Sequence, residues 1–369
     1  MKIIFICGCL EPGKDGVGDY TRCLSAALVR QGVSVGLIAY NDQYIKNKTE
    51  TLQKFEGINI PCLRLPALSE SSYKCSTAND WVESKNPEWL SLQFVPYSFN
   101  DKGLVFGLGS QLKKIGGERK WHIMFHELWL GLDVDSALKE TLLGSFQKIL
   151  VKYLVKKLNV KIVNTHMQLY IHELHKIKVY PVYLPIFSNI SLTKANNSKR
   201  YENNNSISLV MFGSVRTGAP KTEFAEEVLS FLNMNKDKNI SLTLIGKSGD
   251  EQEKWAQEFK LKGIDVEVLG ELSDKEISSV LQRSKFGITT VPSFLVEKSG
   301  TVAAMTEHGL PVLIVAKTWK PKNNINLKLP EGLMEYKSGN FNVFLKSNTS
   351  KVKTGGVKFV AESFLNALS

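Results

Sequence analysis

A chain of 369 residues with 43% apolar side chains exceeds the span of one hydrophobic core and predicts two packed domains. The net charge of +11 and pI near 9.2 come from cations scattered in small groups, such as Lys152, Lys156 and Lys157, or Lys317, Lys320, Lys322 and Lys328. That spread suits an anionic surface or acidic ligand better than a nucleic-acid stripe, and no apolar run reaches the 18 residues of a membrane-spanning helix.

Residues 2 to 10 read as a buried first strand. A strand is expected there in preference to a secretory leader, because the apolar part is short and runs into a Gly-rich charged turn instead of a small-residue cleavage site. Glu11 to Gly18 reads as a loop, Asp19 to Gln31 as a helix with Tyr20, Leu24, Ala27 and Leu28 on one face, and Val33 to Tyr40 as the next strand. This order opens a parallel sheet. Within it, Gly16-Val17-Gly18-Asp19 brings a backbone with few side chains to a helix N-terminus, where a ligand can approach closely. Further strands are expected at about 59 to 65, 89 to 95, 120 to 126 and 160 to 164, with a long helix over about 136 to 157.

The five cysteines, Cys7, Cys9, Cys23, Cys62 and Cys75, contain no C-x-x-C pair and read as reduced thiols of a cytosolic protein. Two strand ends carry polar clusters, His126-Glu127 and Asn164-Thr165-His166. His126 there could touch a transferred group or steady developing charge, with Gln93 and Tyr97 as further candidates for the acceptor side. Asp133-Val134-Asp135 fits D-x-D and His172 with His175 fits H-x-x-H. The aspartates stand where a helix cap is favoured and the histidines lack a third ligand at zinc spacing, so no metal and no cofactor is expected.

The polar stretch Lys194 to Ser206 marks a boundary between a first domain, 1–195, and a second, 207–350, with a C-terminal helix in 351–369 packing back toward the first. The second half starts again with a strand, Ile207 to Phe212, the turn Gly213 to Gly218 and a helix from about 222 to 233. Strands follow at about 241 to 245, 265 to 269, 286 to 290 and 311 to 315, and helices at about 250 to 260 and 274 to 283. The fold class is therefore α/β, with two Rossmann-like, doubly wound parallel-sheet domains and a ligand expected between them at the carboxyl ends of the strands. Arg216 and Lys221, five apart across Gly218-Ala219-Pro220, could converge on a diphosphate. Glu297-Lys298-Ser299-Gly300-Thr301 sets an acid beside a helix N-terminus, which suits a sugar on a diphosphate: amides for phosphate oxygens, a carboxylate for hydroxyls.

Taken together, Gly16 to Arg22, Gly213, Ser214, Arg216 and Lys221, Gly246 after Leu242 to Ile245, Gly270, Pro292-Ser293, Glu297 to Gly300 and Gly309-Leu310-Pro311-Val312 resemble the GT-B glycosyltransferases, especially retaining family 4, over nearly the whole chain. The resemblance implies two domains facing across a cleft. It also implies a nucleotide-diphospho-sugar donor held by the C-terminal domain, an acceptor held by the N-terminal domain, and transfer with retention and without a metal. Arg216 and Lys221 would then neutralise the leaving diphosphate, Glu297 would bind donor hydroxyls, Ser299, Gly300 and Thr301 would meet the phosphates, and His126 would lie near the sugar. The family's second glutamate, the ribose ligand, is replaced by Met305, and Glu307 comes two positions too late to inherit that role. The implied setting is cytoplasmic glycan assembly on a glycan or lipid-linked acceptor, with peripheral attachment to the inner membrane face through the basic surface. Alternatives are a GT-B epimerase or phosphorylase, or a non-catalytic or nucleic-acid-directed protein, including a DNA-modifying glycosyltransferase.

Overall fold

The N-terminal apolar run becomes β1 (Lys2–Cys7), in which Ile3 to Cys7 are all buried, as expected of a strand covered on both faces. In the computed structural model, which describes residues 1–193, 205–247, 249–323, 325, 328–346 and 355–369, the chain divides into two units. One comprises Met1–Pro185, Pro321–Ile325 and Val357–Ser369; the other comprises Ile186–Lys320 and Asn326–Gly356. Residues 186–193, assigned from sequence to the first half, thus belong to the second unit, and most of the expected linker, 194–204, lies outside the described residues.

The first unit continues with α1 (Gly16–Arg30), β2 (Ser34–Asp42), β3 (Thr49–Phe55), β4 (Ile58–Pro66), α2 (Ser71–Lys85) and β5 (Trp89–Phe94). Then come α3 (Leu108–Gly116), β6 (Lys120–Phe125), α4 (Leu138–Lys157), β7 (Ile162–Thr165), α5 (Gln168–His175) and β8 (Val182–Tyr183). The strands form one sheet in the order β3-β4-β2-β1-β5-β6-β7-β8, parallel throughout except for the antiparallel edge pair β3 and β4. Helix α1 starts three residues earlier than the apolar pattern suggests, because the Asp15 carboxylate caps it by accepting from the Gly18 amide at 2.6 Å.

The second unit contains β9 (Ser206–Phe212), α6 (Lys221–Met234), β10 (Asn239–Ile245), α7 (Gly249–Leu261), β11 (Asp265–Gly270) and α8 (Asp274–Arg283). It continues with β12 (Phe286–Thr289), a short 3-10 turn (Ser293–Lys298), α9 (Gly300–Glu307), β13 (Val312–Ile314), β14 (Leu333–Glu335) and α10 (Phe341–Lys346). Its sheet, β11-β10-β9-β12-β13-β14, is parallel throughout. Successive residues of β9 serve opposite faces, as the two-residue period of a strand requires. Leu209 and Met211 join Phe224, Trp255, Phe259 and Phe341 on one side, and Val210 joins Ile277, Leu281, Val302 and Met305 on the other.

Helix α11 (Gly356–Leu368) returns the chain to the first unit, where Phe364 lies 5.5 Å from the Phe5 ring and 5.0 Å from His122. Phe364 is fully buried, so Phe364→Ala should cost about 3 to 5 kcal/mol. Urea denaturation followed by circular dichroism checks this; a loss below about 1 kcal/mol would mean that α11 adds little to this core.

Candidate functional site

In the second unit, strand β9 ends at Phe212 and the chain turns at Gly213, with φ at +91°. A Cβ at Gly213 would fall 2.4 Å from Cγ2 of Thr301, so only glycine lets this loop close onto the first turn of α9. Gly246, after β10, packs behind it: an added Cβ there would sit 3.3 Å from the Gly213 Cα. The Gly213 amide donates to Ile245 O at 2.9 Å, and the Arg216 amide donates to Thr290 Oγ1 at 2.8 Å, tying the loop to the ends of β10 and β12.

Ser299 caps α9. Its Oγ accepts from the Val302 amide at 3.3 Å and its carbonyl accepts from Ala303 at 2.9 Å. The amides of Gly300 and Thr301 have no protein acceptor among the described residues. They open, with Arg216, onto a cavity of about 390 Å³ whose polar side is formed by Ser214, Arg216, Ser299, Gly300 and Thr301. Phe212 and Val291, from strand ends, and Asn189 and Ile190 complete it. An exposed guanidinium and the positive end of a helix thus border one hollow, an arrangement suited to an anion.

Five residues singled out from the sequence, Ser214, Arg216, Ser299, Gly300 and Thr301, therefore share one cavity. Lys221, Glu297 and Lys298 are not among its lining residues. Lys221 opens α6 and acts on Glu251, whose carboxyl is held low first by a hydrogen bond from Lys254 and also by Lys221. Glu297 is half-buried on the 3-10 turn, two residues before the Ser299 cap. Asn189 and Ile190 were not anticipated, since nothing in their spacing marks them. Their segment is anchored by Glu307, whose carboxylate accepts from the Ser188 amide at 2.8 Å. Burial raises the Glu307 carboxyl above its ordinary value, and that hydrogen bond opposes the rise. Glu307 ends α9, as the sequence suggested, and positions part of the cavity wall.

In the first unit the glycine turn divides into separate tasks. Gly16 is exposed at the first position of α1 with Val17 behind it, whereas a Cβ at Gly18 would meet Cys9 O at 2.5 Å, so that glycine serves helix packing. Asp19 accepts from the Gly13 amide at 3.1 Å and pairs with Arg22. Tyr97 accepts from Gln147 Nε2 at 3.1 Å, and Glu127 stands half-buried beside His126 with its amide 3.4 Å from Phe94 O.

His126 is part of a buried chain of hydrogen bonds. Its Nε2 lies 2.9 Å from Gln93 Oε1; Gln93 Nε2 donates to Ser91 Oγ at 2.8 Å; Ser91 Oγ lies 2.8 Å from His122 Nδ1. His122 Nε2 lies 2.9 Å from Asn164 Oδ1, and Asn164 Nδ2 donates to Val182 O at 2.9 Å. Only one set of protons satisfies every link: Ser91 donates to His122 Nδ1, and both histidines donate from Nε2. Tyr20 meets the His126 ring edge-on at 4.8 Å and His166 lies 5.6 Å away. Burial holds His126 well below the usual histidine value, reinforced by His166 and His122, and burial lowers His122 to about 4 against its bond with Asn164.

Asp133 accepts from the Asp135 amide at 3.1 Å, within the turn before α4, while Glu140 accepts from the Ala137 amide at 3.1 Å and closes the helix start. Among the described residues no three metal-ligating side chains converge, and no helix is long and apolar enough to cross a membrane. The cysteines are free, four of them buried.

No family model and no curated protein matches this chain. Solved structures do. A lipopolysaccharide outer core galactosyltransferase in its apo form aligns with TM-score 0.57 at 11% identity, over 100% of this chain and 99% of that one. A glycosyltransferase from Rickettsia africae aligns with TM-score 0.56 at 12% identity, over 100% and 93%. A UDP-GlcNAc 2-epimerase from Neisseria meningitidis bound to UDP-GlcNAc aligns with TM-score 0.55 at 9% identity, over 100% and 99%. The fold is GT-B, built from two Rossmann-like parallel-sheet domains.

Two predictions arise. Gly213→Ala should lower the melting temperature, and adding Thr301→Ser, which removes the clashing methyl, should restore part of the loss; a wild-type melt would refute the close approach. In the first unit, unfolded His122 titrates near 6.5 and the folded residue near 4. Its stabilising preference for the neutral form is complete above pH 6.5 and is lost as pH falls toward 4, where the unfolded chain takes a proton that the folded one refuses. In His122→Gln the acid limb of the stability profile should become shallower by about 1.4 kcal/mol per pH unit; an unchanged slope would assign that limb elsewhere.

Proposed function

We propose that this chain is a glycosyltransferase that takes its sugar from a nucleotide-diphospho donor, holding the diphosphate in the cavity of the second unit. The observation that carries this reading is the joint lining by Arg216 and the Gly300 and Thr301 amides, in a fold shared with sugar-nucleotide enzymes. Lys221 is assigned as a second cation for the phosphates and Glu297 as the partner of donor hydroxyls, with Gly16, Val17, Gly18, Asp19 and Lys298 contributing at the margins of the donor. His126, Gln93, Tyr97 and Glu127 are assigned to the acceptor side, the acceptor being a glycan or lipid-linked sugar of a cell-surface pathway reached from the cytoplasm.

In transfer with retention, the anomeric carbon passes through an oxocarbenium-like state while negative charge grows on the departing diphosphate. Arg216 and the α9 amides stabilise that charge more than they stabilise the intact donor, and this difference is what lowers a barrier. The chain itself supplies the positive field, so the reading requires neither metal nor cofactor.

A panel of nucleotide sugars tests the proposal by thermal shift, since a ligand at about a hundred times its dissociation constant stabilises by about 2.7 kcal/mol. With the responding donor, Arg216→Ala should cut turnover about a hundredfold, or about 3 kcal/mol. Lys221→Ala and Glu297→Ala should each cut it at least roughly tenfold with the melting temperature preserved. Near wild-type rates in all three would reject the assignment. The similarity in fold to a UDP-GlcNAc 2-epimerase favours one second reading, and chromatography separates the two: donor isomerised without acceptor means epimerase, whereas donor left unisomerised alone and consumed only when an acceptor glycan is added means transferase.

A further inference from the structure

Helix α4 is apolar on two opposite sides. Gly144, Gln147, Val151 and Leu154 face the interior of the first unit and are buried. At 100° per residue, Leu138, Leu142, Phe146, Ile149 and Tyr153 fall together in an arc of about 80° on the opposite side. All five are exposed, from 46% for Tyr153 to 76% for Leu138. An apolar stripe of five large side chains along a 20-residue helix is more than scattered surface hydrophobicity accounts for.

Charge identifies what fits it. The helix carries five lysines, Lys139, Lys148, Lys152, Lys156 and Lys157, against one acid, Glu140, which is engaged in the N-terminal cap. On the same projection Lys152 borders one edge of the stripe, Lys139 and Lys157 the other, and Lys156 lies within it, while Lys148 turns away toward the core side, with its ammonium 5.5 Å from the Trp129 ring centre. None of the five is ion-paired with a described residue. Symmetric pairing with a second copy would bring like charge against like charge. An anionic bilayer surface instead accepts apolar side chains below its headgroups and meets the flanking lysines with phosphates.

We infer that the exposed face of α4 docks the protein flat on an anionic lipid surface, with Phe146 and Ile149 as apolar anchors and Lys152 and Lys156 as headgroup contacts. The surface belongs to the first unit, so the inference goes beyond the donor reading and does not depend on it.

Co-sedimentation of the full chain with lipid vesicles tests it. Binding is expected to phosphatidylcholine vesicles doped with phosphatidylglycerol and not to pure phosphatidylcholine, and it should weaken as salt rises from about 0.1 M to about 0.5 M. Lys152→Gln with Lys156→Gln should weaken partition about twenty-five-fold, about fivefold per lysine. Phe146→Ser with Ile149→Ser should weaken it at least about thirtyfold. Both pairs lie on the surface and should keep the wild-type melting temperature and the wild-type response to nucleotide sugars, a readout of the second unit that separates failure here from failure of the donor reading. Equal binding to both vesicle types, no binding to either, or indifference to both variant pairs would overturn the inference. A dimer in sedimentation velocity that Phe146→Ser with Ile149→Ser dissolves would also overturn it, assigning the face to a second copy.

Discussion

The contact between the Gly213 backbone and the Thr301 side chain sets the spacing on which the cavity of the second unit depends. It joins two stretches of chain nearly ninety residues apart, and it exists only because position 213 lacks a Cβ in a left-handed conformation. Once the β9 loop is seated there, Arg216 is committed to the same hollow as the first turn of α9. The cap at Ser299 satisfies Val302 and leaves two amides uncommitted among the described residues. No carboxylate is among the lining residues, so the guanidinium and the helix end present charge of one sign to the hollow. Such a hollow is suited to an anion, and that suitability follows from the same close approach that seats the loop.

The first unit handles polarity in the opposite way. From His126 to Val182 every buried link has its donor and acceptor, and each proton position forces the next. The chain is neutral, since burial disfavours the imidazolium at both His126 and His122. His126 therefore donates through Nε2 to Gln93 and keeps its lone pair on Nδ1. An imidazole in that state can accept a hydrogen bond or a proton but brings no fixed positive charge. Fixed positive charge thus borders the cavity of the second unit, from Arg216 and the start of α9, whereas the buried chain of the first unit is neutral and directional.

Much of this was legible in the residues. The strands with continuous apolar runs, β1, β5, β6 and β9, emerged at nearly their observed bounds, and α8 at its observed bounds, because both faces of the sheets are covered and the Ser273 to Glu276 capping box marks the helix start. Helix α2 escaped notice because only Lys74, Ala78, Trp81 and Val82 among its fifteen residues are buried, too few to show a period. Strand β3 is a largely exposed edge strand, and β8 and β14 span two and three residues, below what periodicity resolves. The amide and arginine parts of the cavity followed from the loops after β9 and β12, whereas Asn189 and Ile190 reach it through the Glu307 anchor, a tertiary contact spanning 119 residues that local spacing cannot reveal.

Helix α4 exposes a different limit. A helix with apolar residues around most of its circumference reads as an interior helix, and the pattern alone does not distinguish one face against a core from two faces against two apolar phases. Packing resolves the ambiguity, because the narrow side with Gly144 is the one pressed inward: a Cβ there would lie 2.0 Å from Leu130 O. The bulky residues are consequently left outside, with Lys139, Lys152, Lys156 and Lys157 beside or among them. The α4 lysines acquire a common side only when helical geometry sorts them. A charge count bounds the chemistry of a partner, and the surface that meets the partner is decided by which side of each helix the core can accommodate.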